Sequence, residues 1–400
     1  MRGKGRRWKR EARLASDRPT TARERLERRW FKRCQRDDRL APLVTGDGLA
    51  HEPFHRWLPF KQAFAPELVR RFLTEAPPAG RPETLPLLDP FSGVGTFAVE
   101  CARQGFEARG VEAIPSLVFI AAAKSTPVLP EMPDLFGATS WQQMADRLTE
   151  PIHRAALICA VARQYTSRGR LNRNAPPLTE VLAAVLEMIG DDLRAPLPAP
   201  ARFDRGDARN LFSLKDGSVG GILTSPPYLS RHDYTLVTRP HEMVYRYWYE
   251  GRDLAERRRD QVRAHPRAYQ QAWSERIPPA VTEACEQLQQ VNEPKVAGVV
   301  RSYFEDTFVA LRECARVLAE GSACWIVVGG ARLKDVYIPS DTILADFAET
   351  CGFEVQEIRV ARRLIPAGRK FGTLENVAPR ESMLVMHRRA DRTTNPLAGR

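Results

Sequence analysis

The sequence predicts an α/β fold on a mostly parallel sheet, and three observations lead there. Short apolar runs alternate with amphipathic stretches, the strand, loop, helix rhythm of parallel units. A glycine-bearing turn follows one such run where the chain enters a helix. Four hundred residues with 43% hydrophobic content also suffice for one large core or two modest ones.

Residues 51–73, "HEPFHRWLPFKQAFAPELVRRFL", read as an extended lead-in and a helix opened at Pro66, where a missing N–H costs nothing. After a Pro/Gly turn, "TLPLLDP" is a strand, "FSGVGT" a turn and "FAVECARQG" a helix closed by Gly105. The strand "FEARGVE" and the helix "IPSLVFIAAAK" follow. The rhythm then stops: residues 125–200 hold nine prolines and two helical patterns, "AALICAVARQY" and "LTEVLAAVLEMIG", and are assigned to a helical insertion. It returns in "ARFDRGDARNL" and "VGGILTSPPY", and breaks again over 229–300, rich in Tyr, Trp and Arg. The helix "SYFEDTFVALRECARVLAEG", the strand "SACWIVVGG", a helix over 340–350 and the strand "FEVQEIRVARRL" come next. A basic loop, "IPAGRKFGTLENVAPR", and a last strand, "ESMLVMHR", complete a count of seven strands.

Composition excludes several classes. No window of 18 apolar residues occurs, and no apolar stretch follows the basic N-terminus, so a cytoplasmic protein without a membrane partner is expected. The seven cysteines form no CxxC pair or zinc-spaced cluster; they are expected to be reduced thiols, with no metal site. No HxE with PCxxC appears, against a zinc deaminase. Net charge is +12, and residues 1–40 carry 16 Lys and Arg against 6 Asp and Glu. Such a segment suits contact with a polyanion, although basic ends are also often simply solvated.

In "LLDPFSGVGTFAVE", Asp89 closes a strand, and Gly93 and Gly95 let the backbone turn tightly before a helix starts at Thr96. The glycines of a pyrophosphate cradle and the Lys-Ser/Thr of a P-loop are missing. Glu112 ends the next strand, where a carboxylate can accept both hydroxyls of a ribose, and "GDA" offers Asp207 after the third. Three carboxylates along one ridge suit a cationic ligand that carries adenosine. In "TSPPY" two prolines remove N–H donors, so carbonyls around Ser225 and Pro226 can accept from an exocyclic amine, beside Pro227. Tyr228 offers a ring for stacking, and Arg231, His232 and Tyr234 follow as further contacts for an extruded base. The Pro-Cys nucleophile of carbon-5 cytosine methylation is absent.

"DPFSGVGT", "GVEAIPS" and "TSPPY" together resemble the S-adenosylmethionine-dependent DNA amino-methyltransferases, over residues 51–125 and 201–388. The resemblance implies a Rossmann-like seven-stranded methyltransferase sheet with the last strand antiparallel. Asp89, Phe91, Gly93 and Gly95 would frame the methionine portion of the cofactor, with Thr96 opening the helix behind them and Phe64 closing over that end. Glu112 would hold the ribose and Asp207 the adenine amine. The family's E-x-N-P is "EAIP" here, which leaves Glu112 in place. Serine at 225 resembles the branch acting on cytosine N4; adenine N6 and an RNA substrate on the same fold are the alternatives, and a binding protein that has lost chemistry is a rival of another class. The implied division is a basic arm (1–50), a cofactor-binding half (51–124), the insertion 125–200, a catalytic half (201–228 and 301–390), a candidate target-recognition insertion (229–300) and a disordered tail (391–400). Within 229–300, "YRYWY" and Arg257, Arg258 and Arg259 suit bases and phosphates, as do Arg369 and Lys370 in the late loop. Double-stranded DNA is the expected partner, with a cognate restriction endonuclease or other defence-system protein, at the nucleoid.

Overall fold

The computed structural model describes residues 20–76, 85–165, 171–230, 233–249, 261–266, 277–364 and 379–390. Arg231, His232, Arg257, Arg258, Arg259, Arg369, Lys370 and the tail 391–400 lie outside the described residues.

The seven strands read from sequence all form: β2 (Leu87–Asp89), β3 (Ala108–Glu112), β4 (Ala201–Arg205), β5 (Gly221–Thr224), β6 (Ala323–Gly329), β9 (Phe353–Arg363) and β10 (Arg380–Arg388). They join β1 (Cys34–Arg36) in an eight-stranded sheet of order β1-β9-β10-β6-β5-β2-β3-β4. The count is therefore eight rather than seven. β1 extends the edge by pairing parallel to β9, Cys34 opposite Ile358 and Arg36 opposite Val360. Its three residues, Cys-Gln-Arg, carry no apolar alternation; the pairing is satisfied by backbone, so composition gave no sign of it. Among the described strands of this sheet β10 alone runs antiparallel, between β6 and β9, as the resemblance implied. A separate hairpin pairs β7 (Ala331–Leu333) with β8 (Val336–Ile338).

Period-2 alternation splits the core. Trp325, Val327, Met383 and Val385 pack on one face with Phe72 and Phe97, while Ile326, Val328, Leu384 and Met386 face Tyr303, Phe304 and Val317 of the helix Pro294–Val317. Every residue of β6 is buried, which explains its unbroken apolar run. The insertion 125–200 forms the helices Trp141–Arg147, Pro151–Arg163 and Leu178–Leu193, whose apolar faces join a third cluster with the lead-in residues Phe54, Trp57 and Phe60.

Within the basic arm, acidic residues alternate with arginine over 23–29, a pattern that supports a short helix, and one forms. Thr21 caps the helix Ala22–Trp30 in a full capping box with Glu24, and Trp30 is buried. Arg23 pairs with Glu283, Arg29 with Asp346 and Glu349, and Arg33 with Glu349. Glu27 accepts from the buried Arg380, which also pairs with Asp341. Much of the positive charge in this stretch is thus spent within the chain.

Topology positions the site. From β2 the chain steps to β3 and β4 on one side, then to β5 on the other, so the order reverses between β2 and β5. In open α/β sheets such a reversal leaves a crevice beyond the carboxyl ends of the strands.

Candidate cofactor and target-base site

At that crevice the turn after β2 carries two residues in the left-handed region, Gly93 at φ +52 and Gly95 at φ +83. A Cβ on Gly95 would also stand 2.6 Å from the Phe203 ring. The loop is fixed from three directions. Ser92 donates its N–H to Val111 O at 3.0 Å, and Gly93 donates to the Glu112 carboxylate at 2.9 Å. From behind, the fully buried Lys124 donates Nζ to Val94 O at 2.7 Å, and burial lowers its pKa to about 8. Sequence reasoning passed over Lys124, which ends an otherwise apolar helix; a lysine there has no exposed role, and that oddity was the available signal.

The ridge carboxylates differ in surroundings. Asp89 is 2% exposed; its Oδ1 accepts from Thr224 Oγ1 at 2.5 Å and from Phe91 N at 2.9 Å. Burial raises its pKa to about 7. Glu112 accepts from Gly93 N and, at 2.9 Å, from Ile114 N, and burial raises its pKa as well. Among the described residues no Lys, Arg or His pairs with either acid. A buried and a half-buried carboxylate with no cationic partner among the described residues favour a ligand that brings positive charge with it. Asp207 is instead held by Arg209, whose Nε and Nη2 reach its carboxylate at 3.0 and 2.7 Å.

One cavity gathers Phe64, Asp89, Phe91, Gly93, Thr96, Glu112 and Asp207 with Ser225 and Pro227. Gly95 stands behind the loop. Tyr234, singled out as a nucleic-acid contact, lines this same cavity. Pro226 and Tyr228 do not: the Tyr228 hydroxyl donates to Glu381 Oε1 at 2.8 Å, and a Cβ on Gly329 would come within 2.6 Å of its ring. Burial, then the neighbouring Glu381 charge, pushes the phenol well above its ordinary pKa. Sequence reasoning also missed Gln261, Val262, Ala264 and His265, which wall the cavity from within the second insertion. Nothing local in "QVRAH" marks a segment that folds back.

The residues present fit S-adenosylmethionine, the group the motifs imply. The cationic methionine end would meet Asp89, the ribose hydroxyls would meet Glu112, and the apolar Phe64 and Phe91 would flank the ligand.

No family model matches the chain. Two curated proteins are similar to it, both named Type II methyltransferase M.AvaI, one from a Nostoc species and one from Anabaena variabilis. Each is 22% identical over 438 residues, spanning 86% of this chain and 87% of its own length. Among solved structures, TrmN from Thermus thermophilus is 14% identical with a TM-score of 0.31, over 81% of this chain and 48%, about half, of that one. An rRNA methyltransferase, AviRa from Streptomyces viridochromogenes, is 14% identical over 81% of this chain and 85% of its own, with a TM-score of 0.31.

Proposed function

We propose, for a chain similar over most of its length to S-adenosylmethionine-dependent DNA methyltransferases, that it methylates the exocyclic N4 amine of a flipped-out cytosine in DNA. The observation that carries the reading is that the cavity holding Asp89 and Glu112, acids with no cationic partner among the described residues, also contains Ser225 and Pro227 of the "TSPPY" segment. Chemistry on an amine needs this juxtaposition of cofactor and acceptor, and it needs no side-chain nucleophile.

When bound, S-adenosylmethionine would supply a sulfonium methyl for the amine nitrogen, leaving as the neutral thioether, and the proton shed by the amine would pass to water. The chain's part is placement. Asp89 and Glu112 hold the cationic end and the ribose, and Phe64 excludes water from it. Thr224, donating to Asp89, fixes the start of the catalytic segment against the cofactor side. Pro226 and Pro227 keep the backbone there free of donors, so its carbonyls accept from the amine and raise the availability of its lone pair. Tyr228 stands beside the cavity rather than in its lining, and in this reading its half-buried ring meets the base as the base enters, with its hydroxyl anchored on Glu381. Ser225 at the head of the motif supports cytosine over adenine. The resemblance to type II methyltransferases supports a place in restriction and modification.

Expression in a methylation-free host, followed by single-molecule sequencing of its DNA, tests this directly. N4-methylcytosine at one recurrent site is the expected mark. N6-methyladenine would move the assignment to the adenine branch, and unmodified DNA together with labelled structured RNA would move it to RNA.

A further inference from the structure

A chain of paired charges runs from the half-exposed Asp207, at the adenine end of the cavity in the proposed reading, through the buried Asp306 into residues 261–266. Asp207 Oδ1 accepts from Arg209 N at 2.8 Å, and the Arg209 guanidinium grips the same carboxylate with Nε and Nη2. Its remaining arm, Nη1, reaches Asp306 Oδ2 at 3.0 Å. Asp306 is 4% exposed on the long helix Pro294–Val317. The same Asp306 accepts from Arg263 twice over, from the backbone N at 2.8 Å and from the guanidinium Nη2 at 2.8 Å. Arg263 sits amid Gln261, Val262, Ala264 and His265, which wall the cavity. Ala264 O in turn accepts from Ser230 N at 2.6 Å, two residues past Tyr228.

We infer that Asp306 is a positioning residue for the cofactor's adenine: through Arg209 it orients the carboxylate of Asp207, and through Arg263 it holds residues 261–266 as a cavity wall braced on the catalytic loop. The inference rests on the reading of Asp207 as the acceptor for the adenine amine. Electrostatics gives its direction. Arg209 divides its charge between two carboxylates. With Asp306 neutral, the guanidinium bears undivided on Asp207 and weakens it as an acceptor, while the wall loses the anion that both the Arg263 backbone and side chain grip. Asp306 touches no part of the cofactor; it acts through its two arginines.

The test uses the full chain and calorimetric binding of two compounds, S-adenosylhomocysteine and S-inosylhomocysteine, in which a carbonyl oxygen replaces the 6-amine. The wild type is expected to favour the adenosyl compound, because the inosyl carbonyl would face the Asp207 carboxylate. Asp306→Asn, which keeps shape and removes the charge, should weaken the adenosyl compound by about tenfold or more and draw the ratio of the two affinities toward one. Glu305→Gln, at the neighbouring position that meets Arg263 and Arg301, should leave the ratio as it is. A merely structural Asp306 would lower the melting temperature and leave the ratio unchanged, and that result overturns the inference. Should Asp306→Asn fail to fold, Arg209→Lys replaces it: an ammonium cannot fork onto both carboxylates, so the ratio must shrink again, and a wild-type ratio overturns the inference. Equal affinities in the wild type itself would overturn the Asp207 reading and the inference with it.

Discussion

At the scale of single residues, Asp89 makes the sharpest prediction because its environment is paradoxical: a carboxylate at the cofactor end with no cation beside it among the described residues. Burial lifts its pKa from an ordinary 3.8 to about 7. A raised folded-state value means that the native protein holds a proton which the unfolded chain has shed, so its stabilisation is full below about pH 4 and is lost as pH climbs through about 7. Cofactor binding has the opposite sign, since a cationic ligand needs the ionised acid. Affinity for S-adenosylmethionine should therefore rise by about tenfold per unit as pH approaches 7 from below and then level off, with proton release visible as a buffer-dependent heat. Asp89→Asn should bind weakly at every pH; a wild-type slope in that variant would remove Asp89 from the site. Tyr228 makes a second prediction. On the role proposed for it, replacing it with Ala removes a base-stacking surface worth about 1–3 kcal/mol, a loss of roughly ten- to hundredfold in kcat/KM. Tyr228→Phe keeps the ring and gives up only the bond to Glu381, so a loss nearer fivefold is expected. Equal losses in the two variants would show that the hydroxyl, not the ring, matters.

At the scale of elements, the glycine turn and the first insertion act on the cofactor site by different means. Gly95→Ala meets both a left-handed backbone and the Phe203 ring, a cost of at least about 1 kcal/mol that should appear as a lower melting temperature together with weakened cofactor binding. Asp192, on the last helix of the first insertion, accepts from Phe54 N, from Arg56 and from Trp57 Nε1. Asp192→Ala would strand buried donors in the lead-in that ends at Phe64. A destabilisation of about 3 kcal/mol is expected in chemical denaturation, with cofactor affinity falling as the lead-in loosens. The elements legible in sequence were those whose pattern matches their burial: the unbroken apolar run of β6, the glycine turn between strand and helix, and Pro66 at a helix start. β1 was not legible because its stability comes from backbone pairing. Nor was the link from Asp192 to the lead-in, because residues 138 positions apart leave no trace in local composition.

For the whole molecule, the same division holds: motifs within one strand and its turn announced the ridge carboxylates, whereas the wall at 261–266 arises from a fold-back held by Asp306. Charge is where sequence and structure together sharpen an expectation. The net charge of +12 was concentrated in residues 1–40. From Arg23 onward, Arg23, Arg29 and Arg33 pair with Glu283, Asp346 and Glu349, and Arg36 and Arg39 with Asp38 and Asp37; a paired guanidinium has less to offer a phosphate. The excess left for a polyanion therefore lies in residues 1–19, with eight Lys and Arg against two acids. Each phosphate neutralised contributes about 0.9 to the slope of log affinity against log salt concentration. Deleting residues 1–19 should lower that slope for duplex DNA by several units and weaken binding at low salt far more than at high salt. Cofactor affinity is expected to stay as it is, since among the described residues the lining of the cavity begins at Phe60. A titration series in fluorescence anisotropy gives the slope, and an unchanged slope would return the search for phosphate contacts to the second insertion and the late basic loop.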